Sequence, residues 1–390
     1  MTNILFIHQS ADLYGSDKTM LTLLKHLDKN RFSPVVIIPL DGPLKEELEK
    51  EKIKVIIAPV LKLYRKMFNP KNLFQFFREI KSGVSMLDEL NKEHKFDLIY
   101  TNTLAALLGF IYARKRKIKH LWHVHEIIES PKIFTQLFRK LLQNNANTKI
   151  VCNSIQTQKF WNFNSKIADK SSVIWNGLEL PKNKTSADEI ATIREVLFKV
   201  NQDEIVISLV GRISRWKGQL LLLNAFNNLL KNHQNIKLVF IGSPPHSQEN
   251  FLENLNKDIQ NYGIEDKVLV IPFQQEIFKF WQSIDIAVVP STEPEPFGLV
   301  AIEAMLAQKP VVGSNHGGLK EIIINDETGL LVEPNNENEL SKAIQRLIEN
   351  QNLRTEFGQK GYQRAVTEFS VEKYINNFEI LFEEMILTKN

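Results

Sequence analysis

The chain predicts an α/β fold made of two doubly wound domains, each built on a parallel sheet. Three observations lead there. Short runs rich in Val, Ile and Leu alternate with longer helical patterns throughout. The runs are continuously apolar rather than alternating, as parallel strands buried on both faces are. They also fall into two successive sets of about six, which suits 390 residues at about 150 per domain.

In the first half the expected strands are 4–7, 35–38, 55–58, 97–100, 121–124, 150–153 and 173–175. In the second they are 205–210, 237–241, 268–271, 284–289, 310–313 and 329–332. Strand then helix, repeated, means βαβ units. The boundary is expected near residues 177–200. There Trp175-Asn176-Gly177 gives way to the polar linker Pro181-Lys182-Asn183-Lys184-Thr185. The domains are drawn as 1–178 with a returning C-terminal helix 372–390, and 179–371. In that helix Tyr374, Phe378, Leu381 and Phe382 recur at helical spacing. Ligands of open α/β sheets bind beyond the carboxyl ends of the strands. Two such domains facing each other across a cleft would place the functional motifs just after strands.

Hydrophobic residues make up 43% and charged residues 24%, which excludes a disordered chain, a collagen-like repeat and a disulfide scaffold. No apolar run approaches the roughly 20 residues of a membrane helix. The start MTNILFIHQS reads as a buried strand rather than a signal peptide. The single cysteine, Cys152, fits a reducing compartment. The net charge of +4 divides unevenly: residues 1–180 carry +11 and residues 181–390 carry −7. Nucleic acid, an anionic membrane surface and a phosphate-bearing acceptor are the candidate partners of the basic half.

Two motifs carry chemistry. Gly211-Arg212-Ile213-Ser214-Arg215-Trp216-Lys217-Gly218 lies between a strand and a helix. Arg212 as a fork and Lys217 as a point charge can converge on a diphosphate; a solvated basic turn is the plain alternative. It is not a P-loop. The second runs from Ser291 through Glu295-Pro296-Phe297-Gly298-Leu299 to Glu303. A helix starting near Gly298 presents unpaired backbone N–H groups to an anion. Glu295 before that helix and Glu303 one turn into it suit sugar or ribose hydroxyls. Charges complementing the helix dipole would explain Glu295 but Glu303 poorly.

Together these residues resemble the retaining family-4 glycosyltransferases of the GT-B fold. Val124-His125-Glu126, Cys152-Asn153-Ser154, Trp175-Asn176-Gly177 and Gly317-Gly318-x-x-Glu321 add further pieces in the family's order. The resemblance spans nearly the whole chain. Glu-x7-Glu in this context is specific, whereas the supporting pieces are common. It implies an acceptor-binding first domain and a second domain that binds a nucleotide sugar. Arg212 and Lys217 would hold the donor diphosphate. Glu303 would take the ribose hydroxyls, Glu295 the transferred sugar, and the amides of Gly298 and Leu299, beside Phe297, the phosphate. His125 would sit across the cleft near sugar and acceptor, and a buried, satisfied histidine is its alternative. After the first strand, Tyr14-Gly15 keeps only the second of the family's paired glycines, so Gly15 is the donor-binding glycine carried over. His123 and His125 are read as pointing to opposite faces, which argues against a metal pair from them.

No Asp-x-Asp occurs, so no metal and no cofactor are expected; fixed cations and the helix dipole would stabilise the leaving phosphate. The resemblance implies retention by front-face attack, with the leaving phosphate drawing the acceptor proton. UDP is the default nucleotide, with GDP and dTDP open. The basic, aromatic segment 61–68 and Arg114-Lys115-Arg116-Lys117 suit an anionic membrane surface and a lipid-linked or cell-envelope glycan acceptor. For the helix carrying Leu73, Phe76, Phe77, Ile80, Val84 and Leu87 a core-facing role is equally open. The implied location is cytoplasmic, peripheral at the inner face of the membrane, with no nucleic acid partner. A nucleotide-sugar epimerase and a two-domain sugar-binding protein are the alternatives. A nicotinamide oxidoreductase is disfavoured, because no Gly-x-Gly-x-x-Gly follows a strand.

Overall fold

The computed structural model describes residues 1–62, 70–180 and 185–387. Most of the segment 61–68, the linker residues Pro181 to Lys184 and the last three residues of the C-terminal helix drawn at 372–390 therefore lie outside the described residues. Among the described residues there are thirteen strands: β1 (Thr2–Ile7), β2 (Phe32–Ile38), β3 (Lys54–Ile57), β4 (Leu98–Asn102), β5 (Lys119–Val124), β6 (Lys149–Cys152), β7 (Ser171–Val173), β8 (Ile205–Val210), β9 (Ile236–Ile241), β10 (Val268–Ile271), β11 (Ile286–Val289), β12 (Val311–Ser314) and β13 (Gly329–Val332). All pair in parallel. The chain divides into residues Met1–Gly177 with Val371–Asn390, and residues Leu178–Ser370.

In the first unit the strand order is β3-β2-β1-β4-β5-β6-β7. Successive side chains of β1 alternate between the sheet's faces. Leu5 and Ile7 join one core with Ile99, Leu108 and Trp122. Ile4 and Phe6 join the other with Tyr100, Leu121 and the helix Val371–Leu387. That helix buries Tyr374, Phe378, Leu381 and Phe382, the expected apolar stripe. Phe382 meets Phe32 edge-on at 5.7 Å and Phe6 at 6.3 Å. Burying Phe378 and Phe382 contributes roughly 1.5–3 kcal/mol each. Arg31, at the end of the loop before β2, pairs with Glu379 at 2.8 Å and with Glu383.

The helix Pro70–His94 answers the question left open for residues 73–87 as far as its described side chains go. Val84 and Leu87 are buried, and Phe76 and Ile80 pack against the same core. Leu61 is also buried rather than surface-binding, and its carbonyl accepts the Leu107 N–H at 3.3 Å. Cys152 ends β6 buried in this core, and burial pushes its thiol well above the usual range.

In the second unit the order is β10-β9-β8-β11-β12-β13. Chain progression reverses between β8 and β11, as it does between β1 and β4 in the first unit. Such switch points open a crevice at the carboxyl ends of the strands. Among the described residues no helix is long and apolar enough to cross a membrane.

Candidate functional site

At the second unit's switch point the loops after β8 and β11 lie against each other. Thr292 N–H donates to the Trp216 carbonyl at 2.9 Å. Gly218 makes this approach possible: at φ 81 a Cβ there would lie 2.1 Å from the Pro290 carbonyl oxygen. The approach brings Lys217 onto Glu295. The Lys217 Nζ donates to Glu295 Oε1, and the Ser291 hydroxyl donates to the same oxygen at 2.7 Å. Glu295 is buried, 4% exposed, and the Lys217 ammonium also sits 4.3 Å from the centre of the Trp216 ring. The neighbouring Arg215 is exposed and pairs with Glu293.

The loop after β12 braces this pair from behind. Gly318 N–H donates to the Glu295 carbonyl at 2.7 Å, and His316 Nε2 donates to the Ser291 carbonyl at 2.8 Å. Gly317 is in the left-handed region at φ 58, and a Cβ there would meet the Glu295 carbonyl oxygen at 2.2 Å. Gly317 is thus required by the path of the Glu295 backbone, and Gly318 by that of Phe297, whose Cα and carbonyl oxygen a Cβ would meet at 2.5 Å.

The expected helix runs Leu299–Leu306, with Gly298 at its amino-terminal cap. Phe297 points inward, its ring edge-on to Phe369 at 5.9 Å, so it offers the crevice backbone rather than ring. Glu303, half-buried one turn into the helix, accepts from Trp281 Nε1 at 3.2 Å. Arg212 is half-buried, and its carbonyl accepts from the Gln219 side chain at 2.8 Å. Of the residues singled out in this unit, the structure joins Lys217 directly to Glu295. Arg212 and Glu303 stand on neighbouring elements with their own partners.

The first unit's switch point holds groups that sequence reasoning missed. His8 follows β1 and Asn102 ends β4, both fully buried. His8 Nε2 lies 2.5 Å from Asp17 Oδ1, and His8 Nδ1 lies 2.9 Å from Asn102 Nδ2. Asn102 Oδ1 lies 2.8 Å from His125 Nε2. Gly15 opens the helix Gly15–His26, whose first turn carries Asp17. Two adjacent central strands that both end in a buried polar residue are the signal that could have located the network.

The opposite-faces reading of His123 and His125 is corrected here. Residues two apart on a strand share a face, and the ring centres lie 3.9 Å apart. Burial lowers His123 well below its usual range, holds His125 at about 3 and His120 at about 4. Burial pushes Glu126 up to about 7, although it accepts the backbone N–H groups of Leu104 and His125.

Known proteins share this architecture. The family profile described as "Glycosyltransferase Family 4" matches residues 14–181, and "Glycosyl transferases group 1" matches residues 190–364. The capsular polysaccharide biosynthesis glycosyltransferase CapM of Staphylococcus aureus is 26% identical over 320 residues, 80% of this chain and 82% of its own. The lipopolysaccharide 1,2-N-acetylglucosaminetransferase of Salmonella typhimurium is 26% identical over 323 residues, 82% of this chain and 80% of its own. The crystal structure of Anabaena HepE in complex with UDP and glucose matches with a TM-score of 0.84 at 26% identity, over 98% of this chain and 100% of that one. With both halves matched and the fold shared over nearly its full length, the protein is a glycosyltransferase of the GT-B fold. It belongs to the family-4 glycosyltransferases.

The buried titratable groups set an expected acid sensitivity. His120, His123 and His125 are held below their ordinary value of 6.5, so the unfolded chain takes up protons as pH falls through 6.5 and stability is lost in that direction. Glu126 opposes them: between its ordinary 4.5 and about 7 the folded form keeps a proton that the unfolded form sheds. Three histidines outweigh one carboxyl, a net uptake of roughly one to two protons, or on the order of 2 kcal/mol per pH unit near pH 5.5. The urea midpoint of the first unit should therefore fall between pH 7 and pH 5. A flat or rising midpoint would contradict this balance.

Proposed function

We propose that the protein transfers a sugar, with retention, from a nucleoside diphosphate donor to a hydroxyl of a glycan or lipid-linked acceptor in cell-envelope synthesis. UDP-sugar is the first donor to test, with GDP- and dTDP-sugars after it. The observation behind this reading is the pair of half-buried Lys217 with buried Glu295, next to the amino terminus of the helix Leu299–Leu306. A carboxylate holding a lysine at a helix amino terminus is an anion site with one negative partner already in place. The HepE structure with UDP bound supports the donor class. The capsular and lipopolysaccharide relatives support the acceptor class.

On this reading Arg212 and Lys217 take the diphosphate, and the amides of Gly298 and Leu299 take its oxygens. Glu303 takes the ribose. Glu295 faces the glycosyl group, and His125 of the first unit contacts the sugar or acceptor. As the glycosyl–phosphate bond breaks, negative charge grows on the leaving diphosphate, where fixed cations and backbone N–H groups act most strongly. The acceptor hydroxyl attacks from the same face, and its proton passes to the departing phosphate oxygen.

The two glutamates should separate in experiment. Glu295→Ala strips the carboxylate from a half-buried lysine, so affinity for UDP should be unchanged or tighter while turnover drops roughly 10²–10³-fold. Glu303→Ala should weaken UDP binding itself. Calorimetric titration of both variants, beside turnover with the full donor, checks this; the reverse pattern would mean that the roles are exchanged. Nucleoside diphosphate released only when acceptor is present separates transfer from epimerisation.

The proposed charge stabilisation uses side chains and backbone, with no metal ion and no cofactor. Activity should survive excess EDTA. Loss on chelation with recovery on adding Mg²⁺ or Mn²⁺ would overturn that assignment.

We also place the protein in the cytoplasm at the inner membrane face, with no nucleic acid partner. Arg114, Lys115, Arg116 and Lys117 are all exposed at one helix end, though Arg116 pairs with Asp88. Vesicles containing anionic lipid should bind the protein, less so as salt shortens the Debye length below about 8 Å. Equal binding to neutral vesicles would return these cations to an ordinary solvated surface.

A further inference from the structure

The polar network at the first unit's switch point has a definite sense of donation. Asn102 Nδ2 lies 3.1 Å from the Ser16 carbonyl oxygen, which can only accept. That contact fixes which end of the amide is nitrogen. The second amide hydrogen then points at His8 Nδ1, 2.9 Å away, so that atom carries the lone pair. The proton of His8 is therefore on Nε2 and is donated to Asp17 Oδ1 at 2.5 Å. The other oxygen of Asp17 accepts the Tyr14 N–H at 2.8 Å, which ties the carboxylate to the start of its helix. At the far end Asn102 Oδ1 must accept, so His125 Nε2 donates to it at 2.8 Å. A neutral His125 then has its lone pair on Nδ1. Four side chains, each at least nine-tenths buried, thus leave one arrangement of protons.

We propose that Asp17, His8 and Asn102 are positioning residues that lock His125 as the Nε2–H tautomer. His125 Nδ1 thereby becomes a hydrogen-bond acceptor for a hydroxyl of the transferred sugar. This rests on the reading above that His125 contacts the sugar or acceptor. A wrong tautomer would present a donor at the same place and leave the substrate hydroxyl proton without a partner. Because the network lies in the core, that mismatch would not be relieved by water.

The groups around the ring are His8 and Asp17 from the β1 side, and His123 from β5 with Tyr100 behind it on β4. Glu126 turns its carboxyl to backbone N–H groups, and Tyr374 of the C-terminal helix lies beyond Tyr100. Asp17 reaches His125 solely through His8 and Asn102, whereas Glu126 adjoins His125 through the backbone N–H. Asn102→Asp would put a carboxylate directly against His125 Nε2 and draw a second proton onto the ring. Nδ1 would become a donor until pH rises past the new imidazolium pKa.

The first test is the ¹⁵N spectrum of histidine-labelled full-length protein without ligand, with His125 assigned from the His125→Gln variant. The expected result is an unprotonated Nδ1 and a protonated Nε2 across pH 6–8. The opposite tautomer, or averaged shifts, overturns the proposal whether or not the protein transfers sugar. The second test is kinetic. His8→Leu should lower kcat tenfold or more with little change in donor KM. His8→Gln, which keeps a donor toward Asp17 and an acceptor toward Asn102, should restore kcat to within about threefold of wild type. Asn102→Asp should lose activity near neutral pH and recover it as pH rises, a profile that the wild type lacks. Equal loss in His8→Leu and His8→Gln with native circular dichroism would reduce the network to a structural one and overturn the proposal. If the spectrum shows the locked tautomer but no nucleotide sugar is turned over, the functional reading fails instead.

Discussion

The ion pair between Lys217 and Glu295 is the constraint on which the second unit's crevice depends. A buried pair is weak evidence for stability, because desolvation offsets much of the Coulomb attraction. What the pair does here is fix two loops. Lys217 comes from the loop after β8, Glu295 from the loop after β11, and those strands are neighbours in the sheet. Removing Lys217 would leave the buried Glu295 charge unpaired, which costs several kcal/mol. The loops are therefore held at one separation, and the glycines at 218, 317 and 318 are where the backbone must yield to allow it.

The first unit solves the corresponding problem differently. Its switch point is filled by a hydrogen-bonded chain of His8, Asn102 and His125 that ends on Asp17. Neutral groups can be buried deeply at lower desolvation cost when every donor finds an acceptor. The contrast follows the charge expected on each ligand. A diphosphate calls for fixed cations and N–H groups, whereas hydroxyl groups call for an oriented donor or acceptor.

Legibility in the sequence followed the range of the interactions. The strands of the described residues were legible because most buried parallel strands are short apolar runs, and a run needs no knowledge of its neighbours. Their ends moved by at most three residues, as at β2, where Phe32 and Ser33 precede the apolar core of the strand. The second unit's motifs were legible because glycines and prolines mark the turns that carry Arg212, Lys217 and Glu295. Their pairing was not, since it joins residues 78 apart. His8, Asp17 and Asn102 carry no local mark: each is an ordinary polar residue at a strand end or a first helical turn. Only the sheet order makes β1 and β4 neighbours. The faces of His123 and His125 could have been read correctly from the two-residue period alone.

The charge asymmetry of the chain gains a physical meaning from these two sites. The excess positive charge of the first half does not sit at its switch point, where the buried network contains no lysine or arginine. It lies instead in exposed side chains such as Arg114, Lys115 and Lys117. Conversely, the acidic second half carries Arg212 and Lys217 at its crevice against its overall charge. A local cation in an acidic unit is set by neighbours within a few ångströms, where the Trp216 ring and Glu295 act on Lys217. Longer-range charge is screened over about 8 Å at physiological ionic strength. Net charge thus governs how each unit is approached from solution, while the chemistry at each switch point is set by contacts that the net charge does not reveal.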